Sequence, residues 1–239
     1  MKIDPVTYEV DPSDGLHPVY VWEAPVRVWH WCMAVCMFVM FVTGFLIGMP
    51  PHSNHSPTWI TYDFGYIRMV HFIAGLVFSA LFIYRIFWAI FGNRYAHMIF
   101  LPPFWSWKWW KGLFGQVAYY LFLKKSAPEY AGHNPLAQAA MFGFFVLGSV
   151  GIIITGCALF AQAWGWDSSW MIYFGWVIDL FGDSQAVRTV HHVLMYVFGL
   201  FTIAHLYMSM REDIMGGATQ WSAMTSGLRL FKHQGGEHH

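Results

Sequence analysis

Five of the chain's 13 histidines, His30, His71, His191, His192 and His205, lie inside apolar runs. A lone ring there is more often a hydrogen-bonded packing residue than a ligand, although ionisable groups in spans also mark ligands, proton relays and ion sites. His191 and His205 are 14 positions apart in VHHVLMYVFGLFTIAHLY. On an α-helix that spacing falls about 40° short of four full turns and rises about 21 Å. The two rings therefore share a face, one near each end of a membrane span. His192 is turned about 100° from His191 and about 140° from His205, so it is the poorer partner.

The other two histidines supply one ring each to two further helices. His30 opens the first apolar run in EAPVRVWHW, and His71 opens the second in GYIRMVHF. With helices alternating in direction, His71 meets the level of His191, and His30 the level of His205. Arg27, Arg68 and Arg188 each precede one of these histidines by three residues, a spacing that shares a helix face. Arg85 is 14 beyond His71, which puts it at the level of His30 and His205. Zinc or non-haem iron normally takes three or four clustered protein ligands. Two histidines per level suit axial coordination of a macrocycle, so the spacing predicts two bis-histidine b haems. With both axial positions filled, electron transfer is favoured over oxygen chemistry. The four arginines are then candidates for the propionates. Gly75, Gly143, Gly148, Gly151 and Gly199 could give the macrocycle room.

The elements that must position these rings follow from composition. The 239 residues are 57% hydrophobic and 11% charged, with 14 Trp and 22 Phe. A soluble domain carries about 25% charged residues. Four runs reach the length of about 20 residues needed to cross a bilayer: roughly 28–47, 67–91, 136–160 and 187–210. Backbone groups in lipid must be satisfied internally, so these runs are helices. The fold class is all-α integral membrane, an antiparallel four-helix transmembrane bundle. Residues 105–125, WSWKWWKGLFGQVAYYLFLKK, mix aromatics with lysines and predict an additional interfacial amphipathic helix.

Charge sets the orientation. Arg94, Lys108, Lys111, Lys124 and Lys125 lie between the second and third runs. Arg211, Arg229 and Lys232 follow the fourth, and Lys2 and Arg27 precede the first. The opposite loops hold only Arg68 and Arg188, so both termini are expected in the cytoplasm. The N-terminus has no apolar core resembling a cleaved signal. Zero net charge gives no reason to expect nucleic acid. Three cysteines without a Cys-x-x-Cys-His motif argue against disulfides and covalent haem.

With these residues in place, EAPVRVWHW, GYIRMVHF, RIFWAIFGNRY, GHNPLAQAAMFG and HLYMSMREDIM resemble the b-type cytochrome subunit of membrane-bound nickel–iron uptake hydrogenases. The resemblance covers about 21–215 as one four-helix di-haem domain. Residues 1–20 and 216–239 are left as polar cytoplasmic segments of no assigned role. It implies an anchor for a hydrogenase on the periplasmic face of the bacterial inner membrane. Electrons would pass from the partner's iron–sulfur small subunit, which is bound to the large nickel–iron subunit, through two b haems to membrane quinone. Several copies of such a complex would assemble together. The family's haem ligands fall on His71 and His191 for the outer haem, and on His30 and His205 for the inner.

Similarity to the formate dehydrogenase cytochrome makes His133 and Asn134, in GHNP, candidates for a quinone site. Asn134 also reads as a helix cap before Pro135. Arg211, Glu212 and Asp213 read as a solvated helix end.

Two other functions fit parts of the pattern. The same di-haem bundle could serve formate dehydrogenase, thiosulfate reductase or another periplasmic enzyme. A proton-coupled or metal-ion transporter would instead use acidic residues at mid-membrane. The four runs carry none between their ends.

Overall fold

The computed structural model describes residues 2–7, 9–11, 17–50, 62–125, 128–216 and 219–231. The loop at 51–61, with His52 and His55, and the tail from 232, with His233, His238 and His239, lie outside the described residues. In chain order the elements are β1 (Lys2–Ile3), β2 (Val10–Asp11), β3 (His17–Tyr20), α1 (Ala24–Gly48), α2 (Asp63–Phe91), α3 (Trp107–Tyr120) and α4 (Pro135–Ala140). A π-helical segment (Met141–Leu147) follows, then α5 (Gly148–Ala163), α6 (Ser169–Phe181), α7 (Ser184–Gly216), α8 (Gln220–Ser226) and β4 (Leu228–Phe231).

Four helical stretches are long and apolar enough to cross a membrane: Ala24–Gly48, Asp63–Phe91, Pro135–Ala163 and Ser184–Ile214. Each contains one predicted run and extends it by capping. The Glu23 carbonyl accepts the amides of Val26 and Arg27 at 3.0 and 3.1 Å, with Pro25 in the first turn. The third span starts at Asn134, whose side chain accepts the Ala137 amide at 2.7 Å, with Pro135 at the first helical position. Large apolar residues on the spans face outward; Ile90 is 72% and Leu200 70% exposed, as lipid-facing positions require.

The chain divides into two compact units. One comprises Met1–His30, Arg85–Val146 and Thr202–His239. Its core packs Val21, Trp22, Val26, Tyr95, Met98, Ala131 and Ala223 together. The Glu23 carboxylate accepts the Trp88 indole N–H at 3.0 Å and the Asn93 amide at 2.8 Å, tying the start of α1 to the end of α2. The predicted amphipathic stretch forms α3, shorter than expected at each end. It is pinned to α4 by the buried Trp109 indole, which donates to Gln138 at 2.9 Å. Lys108 on α3 pairs with Asp4 at 2.8 Å and Glu9 at 3.3 Å, and holds the Asp4 carboxyl well below the usual range.

Both terminal segments contribute strands that the sequence did not reveal. β1 pairs with β2, and β3 with β4 in antiparallel register, Tyr20 opposite Leu228. Gly227 makes the second pairing possible. Its φ is +84°, and a Cβ there would stand 2.6 Å from the Trp22 carbonyl.

The other unit comprises Trp31–Tyr84 and Leu147–Phe201. Its core gathers Ala158, Val177, Ile178 and Val187, so the loop helix α6 is seated against α5 and the start of α7. Gln162 donates to the Ser184 hydroxyl at 2.8 Å, closing the same corner.

Candidate functional site

His71 on α2 and His191 on α7 face each other in the second unit, with ring centroids 6.4 Å apart and planes at 77°. Each ring has a threonine partner from a different span. Thr43 Oγ lies 2.8 Å from His71 Nδ1, and Thr155 Oγ 2.9 Å from His191 Nδ1. Neither threonine stood out in the sequence. Gly44 and Gly156 follow them, and a Cβ on either would stand 3.4 or 3.2 Å from Cε1 of the same histidine. Sequence reasoning named other glycines. Of those, Gly75 has open space at its Cβ position, whereas Gly151 packs on Leu194 and Gly199 on Phe41. His192 packs its ring on Gly48 instead.

In the first unit His30 on α1 and His205 on α7 also stand with ring centroids 6.4 Å apart, their planes at 51°. Arg85 belongs to the same unit and is 2% exposed. Its guanidinium lies 5.2 Å from the Trp29 ring and 5.4 Å from Phe100, and Nη2 donates to the Ala96 carbonyl at 2.6 Å. Nε and Nη1 have no hydrogen-bond partner among the described residues. A buried cation of that kind calls for an anion.

The remaining predicted arginines differ. Arg27 donates to the Thr225 carbonyl, Arg68 lies 5.7 Å over the Phe72 ring, and Arg188 is exposed.

The spacing of the rings tests the fit to haem. Rings whose centroids stand 6.4 Å apart leave room for one metal ion about 2 Å from a nitrogen of each. Both pairs have this separation. Among the described residues no cluster of three or more His, Cys, Asp or Glu side chains is placed to hold a bare ion. The donor set fits a macrocycle that brings its own equatorial nitrogens.

His133 belongs to the same unit as His30 and His205. Its ring lies 5.0 Å from Trp22, and Nδ1 is enclosed without a partner among the described residues. Burial, then the positive charges near it (His205, Arg85, Arg229, His30), push its pKa from 6.5 down to about 3, so the ring is neutral. The backbone around it is firmly held. Gln138 donates to the His133 carbonyl at 2.8 Å, and Arg229 on β4 donates to the carbonyls of Tyr130 and Gly132 at 2.7 and 2.9 Å. Asn134 spends its side-chain oxygen on the helix cap.

The reading of residues 211–213 as a solvated helix end is corrected: all three are part-buried, and Asp213 accepts the Trp221 amide at 3.4 Å. Arg211 stacks over the Tyr119 and Tyr120 rings at 4.9 Å with its side chain 10% exposed, and Glu212 accepts the Tyr120 hydroxyl at 2.9 Å. The aromatic end of α3, invisible from α7 in sequence, covers them. Burial and Glu212 push the Tyr120 phenol up to about 12.

Comparison with known proteins places this geometry in a lineage. The sequence profile of the prokaryotic cytochrome b561 family matches residues 21–227. A "Probable Ni/Fe-hydrogenase B-type cytochrome subunit" of Azotobacter vinelandii is 46% identical over 214 residues, 90% of this chain and 89% of that protein. The "Probable Ni/Fe-hydrogenase 1 B-type cytochrome subunit" of Escherichia coli K12 is 44% identical over 92% of this chain and 94% of its own. The Rhizobium leguminosarum bv. viciae counterpart is 42% identical over 90% of each. Such similarity runs through all four spans and implies b-type haem, and with it the chain belongs to the prokaryotic cytochrome b561 family as a multi-pass membrane cytochrome.

Proposed function

We propose that this chain is the membrane anchor and electron exit of a periplasmic nickel–iron hydrogenase in the bacterial inner membrane. It would hold two b haems, one between His71 and His191 and one between His30 and His205. The observation that carries this reading is the pair of imidazole couples, each 6.4 Å between centroids. When bound, the haems supply reversible one-electron transfer. The hydrogenase is inferred from what the relatives are named for.

The chain's own residues do the rest. Lysines and arginines concentrate in the 94–134 segment and beyond α7, which supports both termini in the cytoplasm. The His71 and His191 end then faces the periplasm, where the iron–sulfur small subunit and the large subunit behind it would dock. Arg85 supplies a buried positive charge for a propionate at the inner pair. His133, neutral and with Nδ1 unengaged among the described residues, can hydrogen-bond a quinone carbonyl at the cytoplasmic side, beside Asn134, whose side chain caps α4 and also bonds Tyr120. Residues 1–20 and 216–239 bracket the cytochrome domain. Their strands β3 and β4 pair with each other within the first unit.

The test is a haem-to-polypeptide ratio with a visible spectrum on the purified subunit, its hydrogenase partners and their variants. Two low-spin haems per chain are expected, falling to one in His191→Ala and one in His205→Ala, with hydrogen-driven quinone reduction lost in both. An unchanged ratio in either variant would overturn the pairing, and a different co-purifying dehydrogenase would overturn the partner.

A further inference from the structure

We propose that the Thr-Gly doublets Thr43–Gly44 and Thr155–Gly156 are matched seats for His71 and His191, the threonines fixing each ring's tautomer as positioning residues for the haem between them. The inference rests on the di-haem reading above and adds a role for residues that no ligand spacing identifies.

The proton inventory carries it. A threonine hydroxyl has one hydrogen and two lone pairs. Thr43 Oγ is 2.7 Å from the Val39 carbonyl and Thr155 Oγ 2.8 Å from the Gly151 carbonyl, each one turn back on its own helix. A carbonyl can only accept, so each hydroxyl proton is committed there. The contacts of 2.8 and 2.9 Å to the histidine Nδ1 atoms then require Nδ1–H to donate to the hydroxyl oxygen. Neutral imidazole carries one ring proton, so Nε2 of both histidines is left bare and basic. That is the tautomer a metal ligand needs, and the acceptor behind it raises ligand basicity.

The glycines complete the seat. With no Cβ at Gly44 or Gly156, the Cε1 edge of each imidazole lies against helix backbone, 3.4 and 3.2 Å from where a Cβ would be. The arrangement occurs twice, from α1 onto α2's histidine and from α5 onto α7's. All four spans thereby contribute to this level, including the third, which has no histidine of its own. Chance packing would not be expected to repeat the same doublet, the same ring atom and the same back-bonded hydroxyl on two unrelated helices.

The test is a redox titration and a haem-transfer assay to apomyoglobin on the assembled complex. It compares wild type, Thr43→Val/Thr155→Val, Thr43→Ser/Thr155→Ser and His71→Ala. Valine keeps the volume and removes the hydroxyl acceptor, leaving His71 its second acceptor, the Met40 backbone carbonyl. One haem's midpoint potential should rise, because a less basic ligand stabilises ferric iron less. The same haem should leave about 10- to 100-fold faster, the usual effect of losing a ligand's outer partner. The other haem should keep its potential and spectrum, which also shows that the bundle is intact. Serine should restore both values. Unchanged potentials and transfer rates in the valine variant, with His71→Ala still losing one haem, would overturn the inference alone. Failure of serine to restore them would reduce the threonines to packing and overturn it as well. Two haems retained in His71→Ala would overturn the di-haem reading and the inference together.

Discussion

Arg229 reaches from the strand beyond the fourth span to hold the Gly132 carbonyl at 2.9 Å with a guanidinium that is almost wholly buried. Desolvation lowers its pKa to about 10, yet it stays charged, with Glu129, Glu212 and Asp213 acting on it electrostatically. One cation thus fixes the backbone immediately before His133. Replacing Arg229 with alanine strands two buried carbonyls, each costing about 1–3 kcal/mol. The thermal midpoint of the detergent-solubilised protein should fall clearly, with arginine-to-lysine falling less, as followed by tryptophan fluorescence.

On the proposed di-haem reading, Arg85→Gln should lower the midpoint potential of one haem and leave the other unchanged, since removing a buried positive charge favours the ferric form. Arg85→Lys should shift it less. Potentiometric titration of membranes reads both.

His133 gives the first unit an acid sensitivity of predictable sign. Its folded pKa, about 3, is depressed below the ordinary 6.5, so between these values the unfolded chain binds more protons than the folded one. Stability is fully present above pH 6.5 and is lost as pH falls toward 3. His133→Gln should flatten that part of the thermal stability curve relative to wild type, measured across the same buffers.

On the proposed di-haem reading, Gly156→Leu should expel the haem between His71 and His191 and leave the haem between His30 and His205. A Cβ alone would come within 3.2 Å of His191 Cε1, and the added branch has nowhere to go without moving the ring. The visible spectrum and haem ratio should fall to one haem per chain.

Much of this was legible in the residues. Span position follows from apolar length, and the polar and proline-containing boundaries explain why each helix extends past its apolar run, as at Asn134 and Pro135. That His191 and His205 share a face follows from helix periodicity at a spacing of 14, and their pairing with His71 and His30 needed the alternating direction of the spans as well. Thr43 and Thr155 were hidden because threonine is an ordinary span residue, and only the facing rings give VTGF and ITGC a common meaning. Strands of two to four residues carry too little alternation to read, which concealed β3 and β4. Arg229 looked like a topology-setting surface charge for the same reason. Glu23 gave no signal, since its partners Trp88 and Asn93 are brought to it only by the return of α2.

The β3–β4 ladder also imposes a schedule on biogenesis. Tyr20 cannot meet Leu228 until the fourth span has been made and inserted, and pairings so remote in sequence are slow to form. The unit holding His71 and His191 waits for neither strand. A newly made chain is therefore expected to complete the unit holding His71 and His191 before the unit holding His30 and His205 closes its terminal ladder.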